Sequence, residues 1–191
     1  MPERRYVPNS LFRNGPNPRL NACVGNNGGP YDFSDYGDGF FEGAQKIVDA
    51  VKRHDGIVDN LIYSAAFSYR HGIELYVKHL LMVLVKRNKS DADYEKTHRL
   101  QDNWKLLVTE IKKSELKLFD ATVVGIVGDI IEEFCEIDPT GQVFRYPEDL
   151  KGNAHLTDLG VINVGVLSDG MMMLHESFKD WRGKLDDMGA R

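Results

Sequence analysis

Apolar residues recur every three to four positions from residue 39 onward, and this spacing predicts a series of α-helices. Asp38 is a suitable N-cap for the first helix, which we expect to end at Asp55 and Gly56. A long second helix should follow from Ile57 to Lys86, because its apolar pattern contains no proline.

Three more helices are expected after the polar loop that follows the second one. The third follows Thr97, and the fourth runs from near Ser114 to Asp138. The last helix has apolar residues at alternating spacings of three and four, a narrow seam suited to packing along another helix. We therefore expect a homodimer that forms through this seam, which contains Met171, Leu174, Phe178, Trp181 and Leu185.

The periodicity changes between the fourth and last helices. Residues 142–146 and 159–167 are typical of two short extended segments, and Pro147 and Gly152 lie between them. The fold class predicted is therefore all-α: an antiparallel bundle of about five helices over residues 39–191, with a small β-hairpin before the last helix.

Residues 1–38 differ from the rest of the chain. Five of the seven prolines and a Gly/Asn tract lie in this segment, so we expect an irregular N-terminal arm without regular secondary structure. Its apolar residues, such as Tyr6, Leu11 and Phe12, leave two interpretations open. The arm docks on a partner subunit, or it is an irregular segment packed on its own domain or partly disordered.

Composition narrows the class of protein. The 191 residues are 42% hydrophobic and 28% charged, which excludes a wholly disordered or fibrous chain. The formal net charge of −5 gives no global attraction to nucleic acid. The longest apolar runs are too short to span a membrane, no apolar segment follows the N-terminal residues, and Cys23 and Cys135 form no disulfide framework. We therefore expect a cytoplasmic protein without a membrane partner.

Two charged residues interrupt the apolar stripe of the second helix. Arg70 falls inside the stripe and Glu74 lies at its edge, one turn later. An arginine and a glutamate at i, i+4 on an apolar face are at least partly buried, where an unpaired charge is costly. The pair is either part of a polar pocket or an internal clamp that holds neighbouring helices in register.

Further polar residues are candidates for the same region. If the hairpin folds back over the second helix, Arg145 approaches Glu74, and Asp149 approaches Arg70 or His98. The resulting group is either a cleft that binds RNA or a nucleotide, or a buried network that needs no ligand. Weaker candidates on the second helix are His71, Tyr76 and Lys78. A metal site formed by His71, Glu74 and His98 is conceivable, but we predict no metal and no cofactor, because no metal-binding motif is present.

The second helix also resembles a known family. Residues 69–78, Tyr-Arg-His-Gly-Ile-Glu-Leu-Tyr-Val-Lys, resemble the R-x-x-I-E-L-x-L-K helix of bacterial HEPN-like bundle proteins. Three later features occur in the same order: Thr-His-Arg-Leu at 97–100, Phe-Arg-Tyr-Pro at 144–147, and Val-Ile-Asn-Val at 161–164. The resemblance covers roughly residues 40–188, and Asn103 departs from it, since leucine is more usual beside the tryptophan.

The resemblance implies a helical bundle, often dimeric, that acts in a toxin–antitoxin, phage-defence or RNA-processing system. Active HEPN-like ribonucleases carry, on a late helix, an arginine and a histidine with four to six residues between them. None of the six histidines here has an arginine five to seven positions earlier, so this signature is absent. A variant with tyrosine six positions after arginine is matched by Arg70 and Tyr76, but on the early helix.

Two functions remain open from the sequence. The first is a non-catalytic HEPN-like interaction or sensing module associated with a bacterial defence, toxin–antitoxin or nucleic-acid system. The second is a divergent metal-independent ribonuclease or nucleotide-binding enzyme, in which arginine stabilises phosphate charge and histidine transfers a proton.

Overall fold

The computed structural model describes residues 10–92, 99–114 and 117–189, and the chain divides into two units, Met1–Tyr31 and Asp32–Arg191. The described part of the second unit is helical, without a β-strand. Its α-helices are α1 (Phe33–Lys52), α2 (Val58–Asn88), α3 (Leu100–Lys113), α4 (Ala121–Ile137) and α5 (Val164–Gly189).

The described part of the first unit, residues 10–31, is irregular apart from one 3-10 turn at Pro18–Leu20. Asn17 caps this turn, and Asn21 exchanges two hydrogen bonds with the backbone of Gly15. Leu11 and Phe12 are exposed within this unit. The lack of regular structure agrees with the proline and glycine content of the segment.

Two helix starts differ from the sequence prediction. Asp32, and not Asp38, caps α1: its carboxylate accepts hydrogen bonds from the amides of Ser34 and Asp35, and Asp35 accepts one from the Asp32 amide. This reciprocal arrangement is a capping box, so α1 begins six residues before the boundary we expected. The start of α4 is likewise set by a carboxylate, that of Asp120.

Glycines bring α1 and α2 into close contact. A Cβ atom on Gly37 would lie 2.7 Å from Tyr76 Cδ2, and a Cβ atom on Gly72 would lie 2.9 Å from Phe41 Cδ2. The absence of a side chain at both positions therefore lets two aromatic rings pack against the facing backbone. The close packing of Phe41 therefore explains Gly72, the single glycine of α2.

Helix directions depart from the antiparallel arrangement. α1 and α2 are antiparallel, but Tyr69 lies 3.5 Å from Ser168 and Tyr76 stacks on Phe178, so α2 and α5 run in the same direction. Asn88, at the end of α2, donates to Glu110 near the end of α3, so these two helices are also parallel. The long connections 89–99 and 138–163 allow parallel neighbours, whereas short connections favour antiparallel ones.

The apolar faces of the helices form one core. The seam of α5 is buried: Trp181 stacks on Trp104 and Phe178 packs on Tyr76. All apolar residues of the α2 stripe are buried too: Ile62, Ala66, Ile73, Val77, Leu80, Leu81 and Leu84. The seam therefore packs inside its own chain, not at the surface where we expected a second copy to dock: Met171, Leu174, Phe178, Trp181 and Leu185. Homodimerisation itself stays a prediction.

The predicted β-hairpin is wrong. Residues 142–146 form a tight turn, because Arg145 and Tyr146 both donate backbone hydrogen bonds to the Gln142 carbonyl. Most of residues 159–167 are a loop and the first turn of α5, since Asn163 Oδ1 accepts from the amides of Gly165 and Val166. The described part of this connection has one isolated bridge, between Glu148 and Ala154.

We predict that Gly72→Ala lowers the melting temperature although alanine favours helices by about 1 kcal/mol over glycine. The added methyl group would press on the Phe41 ring, and overpacking of this kind costs about 1–3 kcal/mol. Gly43→Ala in α1 is the control, because a Cβ atom there meets no neighbour within 4 Å, and it should raise the melting temperature. Thermal unfolding followed by circular dichroism tests both. Equal stabilisation of the two variants would contradict the close-packing argument.

Candidate functional site

One face of α2 carries a row of three charged side chains. Arg70, Glu74 and Lys78 are each one turn apart, at i, i+4 and i+8. Glu74 Oε2 accepts from Arg70 Nη1 at 3.3 Å, and Glu74 Oε1 accepts from Lys78 Nζ at 2.8 Å. The Arg70 side chain is 1% exposed and those of Glu74 and Lys78 are 11% and 13% exposed. One carboxylate thus holds two cations at the edge of the core.

The loop after α4 covers this row. Arg70 Nε donates to the Asp138 carbonyl at 3.4 Å, and the Asp138 carboxylate accepts from the amides of Gln142 and Val143, which shapes the turn. Gly141 has a φ of +75°, a conformation that favours glycine. A Cβ atom there would lie 3.9 Å from Arg70 Nη2, an ordinary van der Waals distance, so the positive φ and not crowding is the reason for glycine.

A cavity of about 340 Å³ lies between α2 and this loop, and we call it the polar cleft. It is lined by Phe67, Arg70, His71, Glu74, Leu75, Lys78, Thr140, Gly141, Gln142 and Arg145. Within the described part of the chain, Arg70 Nη2 is buried and has no hydrogen-bond partner. Since a buried guanidinium normally uses all its donors, this nitrogen is the most informative atom of the cleft.

Aromatic rings surround Arg145 and His71 at the edge of the polar cleft. The Arg145 guanidinium lies 5.5 Å from the centroid of Phe67 and 5.2 Å from that of Tyr146, within the range of cation–π attraction. The His71 ring is stacked on Phe67 and meets the edge of Phe40. Burial among these rings lowers the pKa of His71, although Glu74 acts in the opposite direction. His71 is therefore a neutral imidazole at pH 7.

Five of the eight candidate residues from the sequence line the polar cleft: Arg70, Glu74, Arg145, His71 and Lys78. His98 lies outside the described residues. Asp149 does not approach Arg70, because its carboxylate accepts from the amides of Lys151 and Asn153 and closes a local turn. Tyr76 is on another face of α2 and donates a hydrogen bond to Asp38.

That bond belongs to a second polar cluster, which the sequence analysis missed. Asp38 of α1 accepts from Tyr76 of α2 and from Arg182 of α5 at 3.0 Å, and His175 Nε2 lies 2.7 Å from the same carboxylate. The sequence predicts Asp38 as a helix cap, in which its carboxylate would face the local backbone. The spacing of His175 and Arg182, seven residues apart on one face of α5, is the signal that was available.

The cluster holds three helices together through charge and hydrogen bonds. Arg182 Nη1 also donates to Ser34 Oγ at 3.0 Å, so it links α5 to the start of α1. Burial raises the pKa of Asp38, but hydrogen bonds from Tyr76 and His175 and the charge of Arg182 outweigh it and hold that pKa below its usual value. Burial and the Asp38 hydrogen bond both raise the pKa of Tyr76, so it remains protonated. The cluster therefore has a structural role, since it links α1, α2 and α5.

Comparison of the chain with protein-family models, with curated proteins and with solved structures finds no match. The resemblance to HEPN-like proteins consequently rests on the sequence motifs alone. In the part of the chain that the structure describes, each helix is too short or too polar to serve as a membrane span.

We predict that Glu74→Ala lowers the melting temperature by several degrees. The substitution removes the partner of the buried Arg70 guanidinium and leaves its charge without compensation, which is strongly destabilising. Glu42→Ala is the matched control, because Glu42 pairs with Lys46 at the same i, i+4 spacing but on the surface, and its loss should change the melting temperature little. Thermal melts of both variants test the difference. A Glu74→Ala protein as stable as the Glu42→Ala protein would show that the buried pair contributes nothing.

We also predict a loss of stability on mild acidification. Burial lowers the pKa values of His71, His79 and His175 below 6.5, so the unfolded chain takes up protons at a higher pH than the folded protein. The free energy of unfolding should then fall as the pH drops below about 6.5, before the carboxylates protonate near pH 4. Thermal melts between pH 7 and pH 5 measure this fall.

The control for this pH dependence compares a buried and an exposed histidine. His79→Asn should reduce the fall in melting temperature, because it removes one buried imidazole, while His54→Asn at an exposed position should leave it unchanged. A melting temperature that stays constant from pH 7 to pH 5 would contradict the prediction.

Proposed function

We propose that this protein is a non-catalytic, HEPN-like sensing module whose polar cleft binds a ligand with a terminal phosphate group. The observation that carries the proposal is the buried Arg70 Nη2 at the cleft, which has no acceptor among the described residues. An arginine fork recognises phosphate oxygens through paired hydrogen bonds. A phosphate in the cleft would supply the missing acceptor once the turn at Gly141 shifts to admit it to the buried Nη2.

The charges of the cleft support a phosphate monoester. Arg70, Lys78 and Arg145 are cationic, Glu74 is the carboxylate among the described lining residues, and their sum is a net charge of +2. A phosphate monoester carries about −1.5 to −2 charges at pH 7, which matches this sum better than the single charge of a diester. The ring of Tyr146 beside Arg145 adds a surface on which a base or another flat group can stack.

The chemistry of the cleft favours binding over catalysis. Phosphodiester cleavage needs a general base and a general acid in contact with the substrate. Glu74 is held by two cations, and the His71 ring is enclosed by Phe40 and Phe67. A sensing role in a bacterial defence, toxin–antitoxin or nucleic-acid system agrees with this cleft and with the family resemblance.

A divergent metal-independent ribonuclease is the second candidate. The observation that favours it is the position of the neutral His71 imidazole in the same cavity as Arg70 and Lys78. A neutral imidazole is able to accept a proton from a ribose hydroxyl, and the cations are able to stabilise the phosphate charge.

We predict that a nucleoside 5′-monophosphate binds and raises the melting temperature, whereas the nucleoside alone does not. Arg145→Ala should weaken binding by about tenfold or more, because it removes one charged hydrogen-bond donor worth about 1.5–3 kcal/mol. Arg87→Ala, at an exposed position on α2 away from the cleft, is the control and should bind as the wild type does. Isothermal titration calorimetry at constant ionic strength measures these affinities. Equal affinity of the Arg145→Ala and Arg87→Ala variants would contradict the site.

The two candidate functions are separated by incubation of the purified protein with end-labelled RNA in the presence of a chelator. The sensing module leaves the RNA intact while it still binds the monophosphate. Cleavage by the wild type that is lost in both His71→Ala and Arg145→Ala, but retained in Arg87→Ala, would establish the ribonuclease instead. Cleavage that is lost in His98→Ala but retained in His71→Ala would place the base at His98.

A further inference from the structure

A second cavity, distinct from the polar cleft, lies between α4 and α5, and we call it the α4–α5 groove. Its volume is about 420 Å³, and it shares no lining residue with the polar cleft. Apart from Glu133 and Asn163, its described walls are apolar, with Ile130, Phe134 and Ile137 on α4 and Val166, Leu167 and Met171 on α5.

The groove is open to solvent along one side. Val161 is 86% exposed and Val166 is 72% exposed, and Ile137 is also exposed. Burial of such apolar surface in a complex is favourable. A contiguous apolar patch with a polar rim is typical of an interaction surface, whereas single exposed apolar residues are ordinary.

The two segments that form the walls of the groove are acidic. α4 carries four carboxylates and no lysine or arginine, and residues 156–178 carry three carboxylates and again no lysine or arginine. These seven negative charges exceed the net charge of −5 of the whole chain, so the remainder of the chain is net positive. The two wall segments are therefore more acidic than the rest of the chain.

The carboxylates lie beside the apolar residues in helical register. Asp129, Glu133 and Glu136 occupy positions i, i+4 and i+7 along α4, and all three are exposed. On α5, Asp169 is exposed one turn after Val166. An apolar groove with carboxylates beside it on both helices is complementary to a helix whose apolar stripe has basic residues on both sides.

We propose that the α4–α5 groove binds a basic amphipathic helix of another protein. Aliphatic anchors at i, i+3 or i+4 and i+7 of that helix would enter the groove, and its lysine or arginine side chains would pair with the carboxylates of the rim. A second copy of this chain fits less well, because its own α4–α5 face would bring like charges together.

The probe for this proposal is a fluorescein-labelled peptide with leucine at those anchor positions and lysine on both flanks. Two control peptides keep its length: one has the same residues in scrambled order, and the other has glutamate in place of lysine. We expect micromolar binding of the first peptide by fluorescence anisotropy, with the two controls weaker by about tenfold or more, because each lacks one of the two complementary features.

Two pairs of protein variants locate the site. Gly170→Gln places a side chain in the groove, whereas Gly183→Gln makes the same change on α5 outside it; a Cβ atom meets no neighbour within 4 Å at either position. Glu133→Lys reverses a charge of the rim, and Glu42→Lys does so on α1. The first member of each pair should lose affinity by about tenfold, and the second should bind as the wild type does.

Several outcomes would overturn the proposal. These are no binding of the basic peptide, equal binding of the scrambled peptide, or equal affinity of the paired variants. A dimer of the free protein in light scattering that Gly170→Gln dissociates would assign the groove to a second copy. Binding of the nucleoside monophosphate should be the same in all four variants, so failure here leaves the phosphate site unaffected.

Discussion

The fold around the polar cleft depends on the burial of one guanidinium. Arg70 lies inside the apolar stripe of α2, and its charge is compensated by Glu74 one turn later and by the Asp138 carbonyl of the loop after α4. A buried charge is tolerated only when its hydrogen bonds are largely satisfied. Under the proposed function, a bound phosphate would supply an acceptor to this guanidinium and would thereby stabilise the bundle.

Two faces of α2 use polar residues in opposite ways. On the Arg70 face, the described residues that line the cleft have a net positive charge, and Arg70 Nη2 has no acceptor among the described residues. On the Tyr76 face, a single carboxylate, that of Asp38, is shared among Tyr76, His175 and Arg182. The first arrangement is suited to a ligand that brings negative charge, whereas the second is complete without one. Burial alone therefore does not separate a binding site from a structural network; the balance of donors and acceptors does.

Local relations along the helices were predicted from the sequence, and distant ones were not. The i, i+4 pairing of Arg70 with Glu74 follows from helix geometry, and so does the burial of the α2 stripe. The contact of Asp38 with His175 joins residues 137 positions apart, and the parallel direction of α2 and α5 depends on a long connection. The apolar run at 161–164 predicted a strand, but a run this short does not distinguish a strand from the start of a helix. In the structure, Asn163 caps the helix that follows.

The packing of α5 against helices that precede it by many residues has a consequence for folding. The centre of the core is filled by Phe178 and Trp181 of the last helix. Phe178 contacts Tyr76, about a hundred positions earlier, and Trp181 contacts Trp104, almost eighty positions earlier. A ribosome that has made only α1 to α4 would thus present a nascent bundle with an open apolar interior. Such distant contacts slow folding, because much of the chain must be ordered before they form.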